Sequence, residues 1–196
     1  MRKILKIVIT VIAVLVILVV AFGALIFLDL AAHTATGSQT LTPAGTSIGK
    51  ALVAYDPGLS GKAKTVAEKI ASDLQNQNYT VVLAGIKSSV AANVTGYSIV
   101  VVGGPVYAGS ETASVKDFLD NLSPGYASPG NGPYIYIKLG VFGSGSGATS
   151  PEDIAAIKSS VPTLSNNTFS NPITVKIGQN EDLNARAQDF VNQLTQ

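Results

Sequence analysis

The sequence predicts a three-layer α/β/α fold, in which a parallel five-stranded sheet lies between helices, preceded by one N-terminal transmembrane helix. Three observations carry this prediction. Short β-branched runs alternate five times with stretches patterned for helix. Clusters of Gly, Pro, Asp and Ser separate the strands from the helices that follow them. An apolar run near the N-terminus is set apart from all of this by a stretch rich in Thr, Ser, Gly and Ala.

Residues 7–28 contain no charged side chain. As a helix they would rise roughly 33 Å, against a hydrocarbon core of about 30 Å. The run is longer than the apolar region of a cleaved signal peptide, about 7–15 residues, so it reads as an uncleaved span. Arg2, Lys3 and Lys6 precede it, and the next basic residue is Lys50. The positive-inside bias then keeps residues 1–6 in the cytoplasm and the domain on the extracytoplasmic side. Residues 29–49 read as a flexible tether that reaches the first strand at its starting rim. Asn-x-Ser/Thr triplets at Asn78, Asn93, Asn121 and Asn166 suit a glycoprotein. All four fall, by this reading, on the same rim as the tether.

The domain occupies residues 50–196. Residues 50–55 form an apolar run that ends in Asp56-Pro57-Gly58, and Ala63, Val66, Ala67, Ile70, Ala71 and Leu74 then recur at helical spacing. Residues 80–84 read as the second strand and lead through a weakly patterned stretch to a third at 98–103, whose β-branched continuity suits burial on both faces. Val115, Phe118, Leu119 and Leu122 mark the next helix. Residues 134–142 read as the fourth strand, broken by Lys138 near its lower end. Ser150 as N-cap, Pro151 at the first position and Glu152 and Asp153 in the first turn open the helix after it. Residues 173–177 form the fifth strand, and Asn180-Glu181-Asp182 leads into a helix with the apolar face Leu183, Ala187, Phe190, Val191 and Leu194. Ligands of such a sheet bind beyond the carboxyl ends of the strands, which directs attention to the loops 56–62, 103–111 and 143–150.

Composition removes many chemistries. There is no Cys, and His33 is the sole His, so thiolate and imidazole metal sites and Cys or His catalysis are excluded. Arg2, Lys3 and Lys6 against Asp29 supply +2 of charge to a chain of net +1, which leaves the rest at −1. Such a surface has no field for nucleic acid. No side chain reads as catalytic, and no metal is expected.

From residue 50 to 196 the sequence resembles the flavodoxin-like family, most clearly through Tyr97-Ser-Ile-Val-Val-Val-Gly-Gly-Pro-Val-Tyr-Ala-Gly109 and Val115-Lys-Asp-Phe-Leu-Asp-Asn-Leu122. The resemblance implies strand order 2-1-3-4-5, FMN as cofactor and electron transfer. The family's phosphate loop, Ser/Thr-x-Thr-Gly-x-Thr, aligns with Gly58-Leu59-Ser60-Gly61-Lys62-Ala63, so Ser60, Gly61, Lys62 and Ala63 are the implied phosphate-binding residues. Gly58 and Ala63 lack two of its hydroxyls. Pro105, Val106, Tyr107, Ala108 and Gly109 resemble the segment along the flavin ring, where Tyr107 contributes its ring face. Gly143, Ser144 and Gly145 resemble the Gly-rich second wall. The implied partner is a membrane-bound redox protein, because a nearly neutral domain lacks the charge that steers soluble encounters. The alternative is a flavin-free interaction or cell-surface domain of the same fold.

Overall fold

The structure, a computed structural model, describes residues 6, 10–23, 35–107, 109–122, 137–160 and 172–196. The chain divides into two compact units, Met1–His33 and Thr34–Gln196. In the first, residues 10–23 form helix α1, with Val19 and Phe22 among its exposed apolar side chains. Among the described residues no helix is long and apolar enough to cross a membrane. Residues 7–9 and 24–28 of the expected span lie outside the described residues.

The second unit runs β1 (Ser38–Leu41), β2 (Gly49–Tyr55), α2 (Lys62–Asn76), β3 (Tyr79–Gly85), β4 (Ile99–Tyr107), β5 (Ser110–Glu111), α3 (Ala113–Leu122), β6 (Lys138–Gly145), α4 (Pro151–Ser160), β7 (Ile173–Gly178) and α5 (Leu183–Thr195). The sheet order is β1-β3-β2-β4-β6-β7, with β5 paired to β4. The five expected strands are all present, mutually parallel and in the expected relative order. Alternate residues of β2 serve opposite faces, as a pleated strand requires. Ala51 and Val53 join Ile70, Leu74, Phe190 and Leu194 beneath α2 and α5. Leu52 and Ala54 join Val100, Val102, Leu119 and Ile157 beneath α3 and α4.

The structure corrects the sequence expectation in three places. The stretch expected to be a tether contains β1, which pairs antiparallel with β3 from Ser38↔Ala84 to Leu41↔Val81. Its sequence, Ser-Gln-Thr-Leu, is largely exposed and has no apolar alternation to announce a strand; the free edge of β3 supplies its partners. Because β1 runs against β3, the chain reaches the domain at the carboxyl end of the parallel strands. There the Gly85 amide donates to the Gly37 carbonyl at 2.8 Å, and the Lys87 amide donates to that of Ala35 at 3.3 Å. That is the carboxyl rim of the parallel strands, whereas residues 42–48 lead into β2 at its starting rim, as expected. Asn78 and Asn93 do precede their strands, and Asn166 lies outside the described residues.

Second, residues 86–98 form turns with no helix. Ala91 and Val94 fill the core there, Ser88 Oγ accepts from the Ala91 amide at 3.2 Å, and an open cavity of about 240 Å³ remains against α3. Third, β4 and β6 run further than expected, into residues read as loop: Gly104 pairs with Gly143 and Pro105 with Ser144. Lys138 opens β6 opposite Ile99, at the lower end where it was expected. Residues 134–136 lie outside the described residues.

Candidate functional site

The strand order reverses direction between β2 and β4, so the loop after β2 and the turn after β4 face one crevice. The first loop is built around Asp56. Its Oδ1 accepts from the Gly58 amide at 3.1 Å, its Oδ2 accepts from Thr112 Oγ1 at 2.8 Å, and its own amide donates to the Gly103 carbonyl at 2.9 Å. One carboxylate thereby ties the loop to the start of α3. The sequence reading saw only a turn residue here, because the bond to Thr112 spans 56 positions.

At Gly58 the backbone has φ +59°, and a Cβ would stand 2.5 Å from Pro105 Cγ, so the loop closes against β4 only with glycine there. Leu59 and Ser60 are exposed beyond it. Helix α2 begins at Gly61 (φ 69°) without a side-chain cap, and the space a Cβ on Gly61 would enter is open. Ser60 Oγ accepts from the Lys62 amide at a long 3.4 Å. Lys62 is half-buried and makes no ion pair with any described residue. A helix start without a side-chain cap, with an open approach at Gly61 and a lysine beside it, fits a phosphate group. Ala63 contributes only its backbone, since its side chain is fully buried in the core.

Across the crevice β4 ends in a tight hairpin with β5, in which Val106 pairs with Glu111 and Tyr107 with Ser110. Pro105 is buried, Val106 half-buried and Tyr107 52% exposed. Ala108 lies outside the described residues, and Gly109 makes the turn at φ 77°. Of the expected site residues, 60–63 follow the loop whose Gly58 packs against Pro105 and Tyr107, so both segments lie at the carboxyl ends of β2 and β4.

Gly143 and Ser144 stand elsewhere. Both are buried inside β6, and a Cβ on Gly143 would lie 2.5 Å from Val106 Cγ2 and 3.2 Å from Glu111 Oε1. Gly143 thus makes room for the hairpin. Gly145, half-buried, ends the strand.

Glu111, within the 103–111 loop, has no pairing that the sequence announces. It is 4% exposed, and neither of its oxygens has a hydrogen-bond partner among the described residues. Burial, reinforced by the negative charge of Asp56 and opposed by Lys116, pushes its carboxyl from an ordinary 4.5 up to about 8. It is a neutral acid at pH 7, lodged under the hairpin that carries Tyr107. Among the described residues no group of acids or histidines is arranged to hold a metal.

No family model matches the sequence, and no curated protein matches it. Solved structures do match. Flavodoxin 2 from Bacillus cereus superposes with a TM-score of 0.53 at 20% identity, over 74% of this chain and 97% of that one. The flavodoxin of Streptococcus pneumoniae TIGR4 gives 0.55 at 19% identity, over 74% and 97%. Megasphaera elsdenii flavodoxin, in its two-electron reduced form, gives 0.52 at 16%, over 72% and 98%. Nearly complete coverage of these three chains gives the second unit a flavodoxin-like fold.

Proposed function

We propose that the domain binds FMN noncovalently and transfers electrons, held at a membrane by residues 7–28 with the domain on the extracytoplasmic side. The observation that supports this reading best is the start of α2 without a side-chain cap, on the loop whose Gly58 lies against Pro105 and Tyr107. Bound FMN would supply the redox chemistry. The chain's part is to bind and orient. The first-turn amides of α2, Ser60 and the Lys62 ammonium hold the phosphate. The turn from Pro105 to Gly109 offers backbone groups to the polar edge of the ring, and Tyr107 gives it an aromatic neighbour. No side chain acts as a catalyst. With a net charge of −1 the domain gains little from long-range steering. Confinement at a membrane replaces steering by raising the effective concentration of a redox partner held there.

A flavin-free interaction domain is the competing reading, favoured by the absence of hydroxyls at Gly58 and Ala63. Titration of the full chain with FMN, followed by flavin fluorescence, decides between them. Saturable quenching supports the cofactor, with Lys62→Ala weakening it about tenfold or more through loss of a charge-assisted bond. Fluorescence that never departs from that of free FMN assigns the domain to the second class. Resistance of the chain to alkaline extraction from membranes tests the tether separately.

A further inference from the structure

The hydroxyl missing at position 58 has a substitute from another strand. A Cβ on Gly58 would lie 3.1 Å from Tyr107 Oη, so the phenol group ends where a side chain at 58 would begin. Its position is set by the short hairpin in which Tyr107 pairs with Ser110. The hydroxyl has no hydrogen bond to a described residue, while half of the side chain stays open to solvent. The Gly58 amide donates to Asp56, whose other oxygen accepts from Thr112, so the loop that carries Gly58 is tied to the segment that follows β5.

We propose that Tyr107 is a phosphate ligand: its phenol O–H donates to the phosphate monoester held at the start of α2, in place of the hydroxyl absent at Gly58, and makes the site selective for FMN over riboflavin. A phenol O–H is a hydrogen-bond donor suited to a phosphate oxygen. The ring face expected from the sequence to stack on the flavin becomes secondary to the hydroxyl. The proposal rests on the FMN reading above and deepens it.

The test is titration of the full chain and of Tyr107→Phe with FMN and with riboflavin, and with inorganic phosphate as competitor. Expected for the wild type are tighter binding of FMN than of riboflavin and competition by phosphate. Tyr107→Phe should lose about tenfold or more in FMN affinity, keep its riboflavin affinity and keep its thermal midpoint. Unchanged FMN affinity in Tyr107→Phe overturns the assignment while leaving the FMN reading intact. Equal loss for both flavins also overturns it, since the ring and not the hydroxyl would then be what matters. A wild type that binds neither flavin overturns the FMN reading and this assignment together.

Discussion

Glu111 gives the domain a pH response that its neighbours in sequence do not suggest. Its carboxyl takes up a proton on folding, because its folded pKa of about 8 lies above the ordinary 4.5. Stability contributed by the neutral form is therefore present at low pH and is lost as pH rises through this interval, by on the order of 3–5 kcal/mol. Urea unfolding should show the wild type weakening from pH 5 to pH 8, and Glu111→Gln following a flatter curve. A flat wild-type profile would remove the buried acid from the account. Gly143 predicts a different kind of loss. A methyl group there meets Val106 at 2.5 Å and Ile157 at 2.9 Å, so Gly143→Ala should cost about 1–3 kcal/mol by overpacking, read from the shift in unfolding midpoint. Loop composition directed attention to the carboxyl ends of the strands, and the resemblance to the flavodoxin-like family singled out Ser60, Gly61, Lys62 and Tyr107 there. Glu111 was not legible, because an acid between Ser110 and Thr112 looks solvated until the hairpin folds over it. The packing role of Gly143 was hidden for the same reason: its neighbours come from β4, β5 and α4.

At the scale of elements, the parallel strands were legible wherever both faces are buried, as in Ile99–Val102, and α4 from its cap. Ser150 Oγ accepts from the Asp153 amide at 3.2 Å while Asp153 Oδ2 accepts from the Ser150 amide at 3.0 Å, a reciprocal box of the kind the sequence announces. The same Asp153 carboxylate pairs at 2.5 Å with Lys176 of β7, whose side chain is 6% exposed. The Lys176 hydrogen bond holds the Asp153 carboxyl below its usual range. Stability from this pair is present above the unfolded pKa of an aspartate and disappears as pH falls through the lowered folded value. Asp153→Asn should strand the buried ammonium and cost about 3–5 kcal/mol at pH 7, with the difference from the wild type shrinking in acid. β1 and the turns over 86–98 were illegible because neither carries a periodic apolar pattern. A chain truncated before Thr42 should leave the β3 edge open, and hydrogen exchange should then quicken at Val81–Ala84 while the amides of β4 and β6 keep their protection.

For the molecule as a whole, the proposed binding of FMN predicts a linkage between ligand and folding. Free FMN at about 100 times its dissociation constant should raise the unfolding free energy by about 2.7 kcal/mol, seen as a rise in thermal midpoint that riboflavin reproduces only in part. The near absence of net charge on the domain means that this gain should change little with salt beyond the local contribution of Lys62. The antiparallel course of β1 has one more consequence, a mechanical one. A pull on the chain at Ala35, directed along the strands, does not open the β1 and β3 pairing one bond at a time. It slides β1 lengthwise and strains the four paired positions together with the two bonds at Gly85 and Lys87. Those last two bonds sit on the crevice rim, so tension reaching the domain through its N-terminal side arrives first beside the ligand loops. A flavin held there would feel a tug on the chain before the core does.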